Sequence, residues 1–315
     1  FTEITEQFDE DLLGGLGWAT VLLDVDRDGD LDLYTANADQ AANGPCRLLR
    51  NDGLADGTLQ LVDATDDCGC DWLNNPMGAT VTDFDADGLP DVFVTNTGSN
   101  NALWNMGEYQ FADMAQAWDA TVLEDQNAMT YGAAIYDFDN DGWQDILTSS
   151  GPLRGDSTIG LQPEDQPDVL LKGGETGFTD VSEAQGVDDE AAGRGVAVGM
   201  LDDDGVLEAV VAHLDSPTRI YRSPCTTDRA LVVDLVGQTP NTFGVGAWLE
   251  LQTSERTMIR EITTNSGWAS TIHPRAHFGL GQLEVESLVV HWPSGESQTV
   301  ELNPGVDGRI SVKEP

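Results

Sequence analysis

Three nine-residue stretches of this chain carry one pattern of carboxylates around a glycine. They read Asp24-Val-Asp26-Arg-Asp28-Gly29-Asp30-Leu-Asp32, Asp83-Phe-Asp85-Ala-Asp87-Gly88-Leu89-Pro-Asp91 and Asp137-Phe-Asp139-Asn-Asp141-Gly142-Trp143-Gln-Asp145. Acidic side chains recur at positions 1, 3, 5 and 9, with glycine at 6. Glycine tolerates backbone angles that other residues resist, so the chain turns back there and the odd-numbered side chains converge. Four like charges within nine residues repel one another unless a cation sits among them. Calcium, a hard ion that takes oxygen ligands, meets that need. One copy would read as a polar turn; three in register make a calcium-binding repeat.

In the complete loops the backbone carbonyls of Asp30, Leu89 and Trp143 are assigned to position 7, and Asp32, Asp91 and Asp145 close the site at position 9. A fourth stretch, Met200-Leu-Asp202-Asp203-Asp204-Gly205-Val206-Leu-Glu208, puts methionine in the first acidic position. Its ligands would be Asp202, Asp204, Val206 and Glu208, and a weak or empty site is expected. An EF-hand fails twice. Position 12 holds Thr35, Val94 and Thr148 instead of a bidentate glutamate, and β-branched strands replace the flanking amphipathic helices.

The four motifs start 59, 54 and 63 residues apart, which suits a four-stranded blade rather than a stacked helix pair. Each unit opens with a glycine-containing apolar strand (17–23, 78–82, 132–136, 195–199) that leads into the aspartate loop. A second strand leaves it, as in Asp91-Val-Phe-Val-Thr95, and a third alternates, as in Thr218-Arg-Ile-Tyr-Arg222. The fourth strand is Leu59–Asp63 or Tyr109–Asp113, and the last unit lacks it. Phe1–Thr5 is expected to supply the missing strand, closing the ring without an open sheet edge. The alternative is a larger ring with further blades before Phe1. The 34 glycines and short runs of Val, Leu, Ile and Thr agree with an all-β protein.

These repeats resemble the FG-GAP (VCBS) repeats of integrin-type β-propellers, over residues 1–224. The resemblance implies calcium in the loops joining the first two strands of each blade. From Arg229 the period is lost, and alternating strands such as Leu231–Val236 and Ser287–Trp292 predict a small β-sandwich or barrel over 229–315. In order, Gly244-Val-Gly-Ala247, Asn265-Ser-Gly-Trp268, Pro274–Gly281 and Trp292-Pro-Ser-Gly295 resemble the ASPIC/UnbV domain, which follows FG-GAP propellers in the cartilage acidic protein 1 family and its bacterial relatives. His291 departs from the arginine expected before that last turn.

With 14 basic against 56 acidic residues, the net charge is −42, and three divalent ions would offset little of it. Such a surface repels nucleic acid and anionic membranes. It fits a calcium-rich extracellular setting or a saline habitat where charge is screened. No run approaches the roughly 20 apolar residues of a membrane helix. The chain begins at Phe1 and is expected to be a mature or trimmed form of a secreted or cell-surface protein. Cys46, Cys68, Cys70 and Cys225 fit an oxidising compartment with two disulfides. Cys68 and Cys70 read as too close in sequence to bond each other, so Cys46 and Cys225 are their expected partners. His213, His273, His277 and His291 lack a neighbouring nucleophile motif or Cys-x-x-Cys, which argues against zinc or acyl-transfer chemistry. His273 and His277 are close enough to share a surface.

The reading is a non-enzymatic, calcium-pinned propeller that acts as a binding or assembly module for an extracellular protein, a glycan or copies of itself. An extracellular polysaccharide-active enzyme using the propeller face, and a self-assembling surface-layer or filament subunit, are the alternatives.

Overall fold

A computed structural model describes residues 2–8, 12, 14, 17–37, 44–71, 75–123, 125–152, 166–202, 204–214, 216–223, 229–264, 267–303 and 305–315. Each aspartate motif sits between the first two strands of an antiparallel sheet, because the apolar runs either side pair as soon as the loop reverses the chain. The first sheet holds β1 (Gly17–Leu23), β2 (Asp32–Asn37), β3 (Arg47–Ala55) and β4 (Thr58–Asp63) in sequence order. The second repeats this with β5 (Asn75–Thr82), β6 (Asp91–Thr97), β7 (Asn101–Asn105) and β8 (Phe111–Asp113). The third holds β9 (Thr130–Tyr136), β10 (Asp145–Ser150), β11 (Val169–Lys172) and β12 (Thr179–Asp180). The fourth has three strands among the described residues: β13 (Gly193–Gly199), β14 (Glu208–His213) and β15 (Arg219–Arg222).

The first strands stand side by side in the order β1, β5, β9, β13, and an apolar layer fills each space between consecutive sheets. Sheets stacked face to face around their first strands make a propeller-like, nearly all-β arrangement. β5, β6, β9 and β10 are buried almost throughout because they have a sheet on either side. The end sheets do not. Trp18 and Leu22 are 42% and 56% exposed on β1, and Ile220 is 64% exposed on β15.

The expected closure by Phe1–Thr5 is not formed. Phe1 lies outside the described residues, and Thr5–Gln7 make a 3-10 turn, with Phe8 N–H donating to the Thr5 carbonyl at 3.0 Å. Among the described residues of this segment, Ile4 stays 41% exposed, which is too little buried apolar surface to replace those local bonds with a sheet ladder. The four sheets therefore form an arc, and β13 does not pack on β1 as successive first strands pack on each other.

The remaining strands form two sheets. One has the order β19 (Ala276–Gly281), β16 (Arg229–Val236), β22 (Gly308–Lys313), with β16 and β22 parallel. The other has the order β18 (Thr257–Glu261), β17 (Trp248–Thr253), β20 (Val285–His291), β21 (Ser297–Val300). Leu231, Leu249, Phe278, Leu288 and Trp292 fill the space between them, as in a small β-sandwich.

This sandwich is seated on the arc. Trp268 packs edge-on against Tyr131, ring centres 5.5 Å apart, in a cluster with Met77 and Met129. Ser270 Oγ accepts from the Val196 amide on β13 at 3.0 Å. The approach needs glycine: a Cβ on Gly78 would lie 2.8 Å from the Trp268 nitrogen, and one on Gly267 2.5 Å from the Ala133 nitrogen.

Cys68 and Cys70 are bonded to each other, contrary to the sequence expectation, with Cα atoms 5.1 Å apart. Gly69 between them is left-handed, at φ 62°, and swings both side chains to one side. Cys46 is buried in the same apolar layer but outside that bond, and Cys225 lies outside the described residues. Among the described residues, no helix is long and apolar enough to cross a membrane.

Trp268→Ala removes the ring that joins sandwich to arc. A half-buried aromatic at a packed junction is expected to cost about 2 kcal/mol, read as a lower urea midpoint. An unchanged midpoint would show that the seat contributes nothing to stability.

Candidate metal centres

The three complete loops are built alike. Positions 4 and 6 are both left-handed: Arg27, Ala86 and Asn140 at φ 61°, 59° and 61°, and Gly29, Gly88 and Gly142 at 97°, 94° and 93°. Position 1 accepts from the position 6 amide, at 3.1 Å for Asp24, 3.1 Å for Asp83 and 2.7 Å for Asp137. Position 5 accepts from the position 7 amide, so Asp28, Asp87 and Asp141 hold Asp30, Leu89 and Trp143 at 2.9, 2.8 and 2.9 Å. The Asp30 side chain stays outside the cluster, as the carbonyl assignment at position 7 requires.

Position 9 ties the loop to its sheet. One oxygen of Asp32, Asp91 and Asp145 accepts from the amide at position 2 (Val25, Phe84, Phe138) at 3.0, 2.7 and 2.8 Å. The other accepts from the third strand or the residue after it, at Asn51, Asn105 and Gly173, at 2.8, 2.7 and 2.9 Å. Thr35, Val94 and Thr148, at the EF-hand's twelfth position, lie inside β2, β6 and β10.

These bonds gather the carboxylates. In Asp24, Asp26 and Asp28, in Asp83, Asp85 and Asp91, and in Asp137, Asp139 and Asp145, one oxygen from each lies within 4.8 Å of the others. Two oxygens on one calcium ion, each at 2.3–2.6 Å, stand at most about 5 Å apart, so each set spans one ion. Asp24 Oδ1 and Asp83 Oδ1 are buried with no hydrogen-bond partner. A buried anionic oxygen without a donor is costly, and a cation removes that cost. The residues therefore fit calcium.

The fourth loop brings together Asp202, Asp204 and Glu208 without a first acid, and Val206 is held by Asp204 at 2.9 Å. Arg222 reaches all three carboxylates: Asp202 at 3.1 Å, Glu208 at 3.5 Å, and Asp204 in close contact. At the third loop Lys172 pairs with Asp139 and, at 2.8 Å, with Asp141. Neither cation was singled out from sequence as part of a site. Their scarcity among only 14 basic residues was the available signal.

The sandwich covers the loops from one side. Arg256 Nη2 donates to the Asp141 carbonyl at 3.1 Å and its guanidinium lies 4.0 Å from the Trp143 ring centre. Gly281 N–H donates to the Asn140 carbonyl at 2.8 Å. Arg27 faces Glu261 at 3.7 Å and donates to the Gly88 carbonyl at 2.7 Å. A cavity of about 250 Å³ remains between the second and third loops and the sandwich, lined by Asp83, Asp85, Trp143, Arg256 and Arg260.

The histidines are structural. His213 pairs with Asp168 at 3.1 Å with both side chains fully buried. His277 is buried, which lowers its pKa to about 4, and His273 lies edge-on to Phe243, yet both line one cavity of about 210 Å³ with Arg275 and Arg309.

Burial without a cation raises the loop carboxyls: Asp32 and Asp83 to about 6, Asp145 to about 7, and Asp91 and Asp137 well above the ordinary value. Between pH about 4 and 7 the calcium-free folded state thus keeps protons that the unfolded chain has lost, so its stability falls as pH rises through that window. Melting in EDTA is expected at a lower temperature at pH 7.5 than at pH 5, and added calcium is expected to shrink the difference. An EDTA melting point that rises over this interval would contradict it.

Residues 24–94 and 83–148 match the FG-GAP-like repeat model, and residues 237–315 match the ASPIC and UnbV model. The chain is 28% identical over 279 residues to cartilage acidic protein 1 of Xenopus tropicalis, covering 84% of this chain and 40% of that protein. It is 27% identical over 267 residues to the Homo sapiens protein of that name, covering 81% and 38%. The chain spans less than half the length of these curated relatives. Among solved structures, an Agrocybe aegerita lectin that recognises non-reducing terminal N-acetylglucosamine aligns with TM-score 0.38 and 13% identity, over 90% of this chain and 79% of that one.

Proposed function

The chain unites FG-GAP-like repeats with an ASPIC/UnbV domain and is homologous to cartilage acidic protein 1, and from that premise we propose that it is an extracellular calcium-binding module that binds or assembles rather than catalyses. One observation carries the calcium reading: three loops of alike backbone each converge three carboxylates, at positions 1, 3 and 5 in the first and at 1, 3 and 9 in the second and third, and two of them bury a carboxylate oxygen that has no donor. Calcium there neutralises the cluster, fixes the turn between the first two strands, and firms the carbonyls of Asn140 and Asp141 on which the sandwich rests. The ion's role is structural, and partner binding falls to the surface of the assembled arc.

The exposed apolar faces of the end sheets, with Trp18 and Leu22 on one and Ile220 on the other, support a protein partner or a second copy of this chain. A glycan partner is the other chemistry such a module takes. A self-assembling surface layer would need exposed contacts on the sandwich, and Trp268 and Trp292 do not supply them. Trp268 packs on Tyr131, and Trp292 is 3% exposed, with its indole N–H on Gln298 at 3.1 Å. A polysaccharide-active site has one observation in its favour, the cavity beside Trp143, Arg256 and Arg260. Arg256 already covers the Trp143 ring on which a sugar would stack, so binding or assembly is preferred.

Calcium that binds only the folded state raises stability by mass action. Extracellular modules of this kind bind at about 10⁻⁴–10⁻³ M, so free calcium at about 10 mM adds about 1.4–2.7 kcal/mol per site. Melting temperature is expected to climb with calcium and not with magnesium, and Asp83→Asn is expected to remove one site's share. Identical melting in EDTA and in calcium, from protein shown by mass spectrometry to carry no ion, would end the calcium reading.

A further inference from the structure

The four loops are equivalent in their ligands' spacing but not in what stands across from them. Strand register sets one third-strand residue opposite position 9 of each loop. Glu208 pairs with Arg222 directly. One step beyond Leu33↔Leu49, Val92↔Leu103 and Ile146↔Leu171, the same register sets Asp32 opposite Arg50, Asp91 opposite Trp104 and Asp145 opposite Lys172. The amide of the next residue holds position 9 in the three complete loops, which confirms the equivalence.

These four side chains behave differently. Trp104 carries no charge and packs on Trp118, ring centres 4.7 Å apart. Arg50 takes Asp52 in a two-pronged pair at 2.6 and 3.0 Å and lies over the Tyr109 ring, 5.6 Å from its centre. Lys172 turns inward onto Asp139 and Asp141. Arg222 spans Asp202, Asp204 and Glu208, the three carboxylates that would otherwise converge on an ion.

We infer that the side chain opposite position 9 sets calcium occupancy, and that in the fourth loop Arg222 is a built-in cation standing in place of the metal. The inference rests on the calcium reading of the complete loops and goes beyond it by assigning an order. The first and second loops bind calcium without an internal competitor, the third binds only by displacing Lys172, and the fourth does not bind. A guanidinium suits the last role, because it is always charged and its planar fork of donors serves several carboxylates at once. An ammonium on a flexible stem is the weaker substitute, easily moved aside. Lys172 has somewhere to go: its side chain is 40% exposed, so the ammonium can swing out to water.

The unpartnered oxygens follow the same order. Asp24 Oδ1 and Asp83 Oδ1 lack a donor, whereas in the third loop Asp137 Oδ1 already accepts from the Asp141 amide at 3.0 Å. The fourth loop, with Met200 at position 1, has no such oxygen at all. Loss of the first acid and gain of an inward arginine act in the same direction: the first lowers the loop's negative charge, and the second neutralises the three carboxylates that remain.

The test is calcium stoichiometry, by isothermal titration with calcium chloride and by metal content after equilibrium dialysis, on the full chain and its Arg222→Gln, Arg222→Lys and Lys172→Gln variants. Wild type is expected to bind three ions, the third about tenfold more weakly than the first two. Arg222→Gln is expected to bind a fourth, and Arg222→Lys to bind a fourth more weakly than Arg222→Gln does. Lys172→Gln is expected to leave the count unchanged and tighten the weakest site about tenfold. Three ions on a folded Arg222→Gln variant, or four on wild type, would overturn the inference while leaving the calcium reading intact. No ion on any of the chains would overturn both. Should Arg222→Gln fail to fold by circular dichroism, the weakest site decides: no tightening in Lys172→Gln removes the ordering.

Discussion

In the second and third sheets, the turn between the first two strands holds carboxylates that folding withdraws from water. Asp83, Asp91, Asp137 and Asp145 are all under 10% exposed, and like charges stand beside them in the same loop. Burying ionised carboxylates is costly unless they are paired, and raising their pKa is the alternative when no cation is present. The strands cannot escape the problem. Position 9 is the first residue of the second strand, and its two oxygens hold both the loop and the third-strand side of the sheet. Whatever neutralises the cluster therefore also sets the root of the blade.

The seat of the C-terminal sandwich depends on the same loops. Its β18 and β19 region meets the backbone of Asn140 and Asp141 and faces Arg27 across Glu261. Gly279 is forced by this contact, because a Cβ there would lie 1.9 Å from Asp137 Oδ2. In a chain with four acidic residues to each basic one, the placement of arginine is informative. Arg27, Arg256 and Arg260 gather where the loops and the sandwich meet, and Arg222 reaches into the fourth loop from β15. Cations are scarce here, and the fold concentrates them where buried negative charge is greatest.

Much of the fold was legible because it follows from local periodicity. The glycine-led apolar runs became β1, β5, β9 and β13, and the loop spacing translated into consecutive sheets. What failed to read through was long-range or conformational. Cys68 and Cys70 looked too close to bond, yet a left-handed Gly69 brings them together. Phe1–Thr5 matched the pattern of a closing strand, but pattern alone does not tell how much surface such a strand would bury.

The sequence by itself determined the nine-residue loop, its carboxylate positions and its repetition, because convergence within nine residues needs only a glycine turn and side-chain spacing. Tertiary structure alone decided that the third and fourth loops meet a cation of the chain itself. Lys172 and Arg222 lie more than a dozen residues from the carboxylates they reach, and only strand register sets them opposite position 9. It also decided that the arc stays open and is capped by the sandwich. That outcome depends on the area buried between distant segments, a quantity that no local pattern encodes.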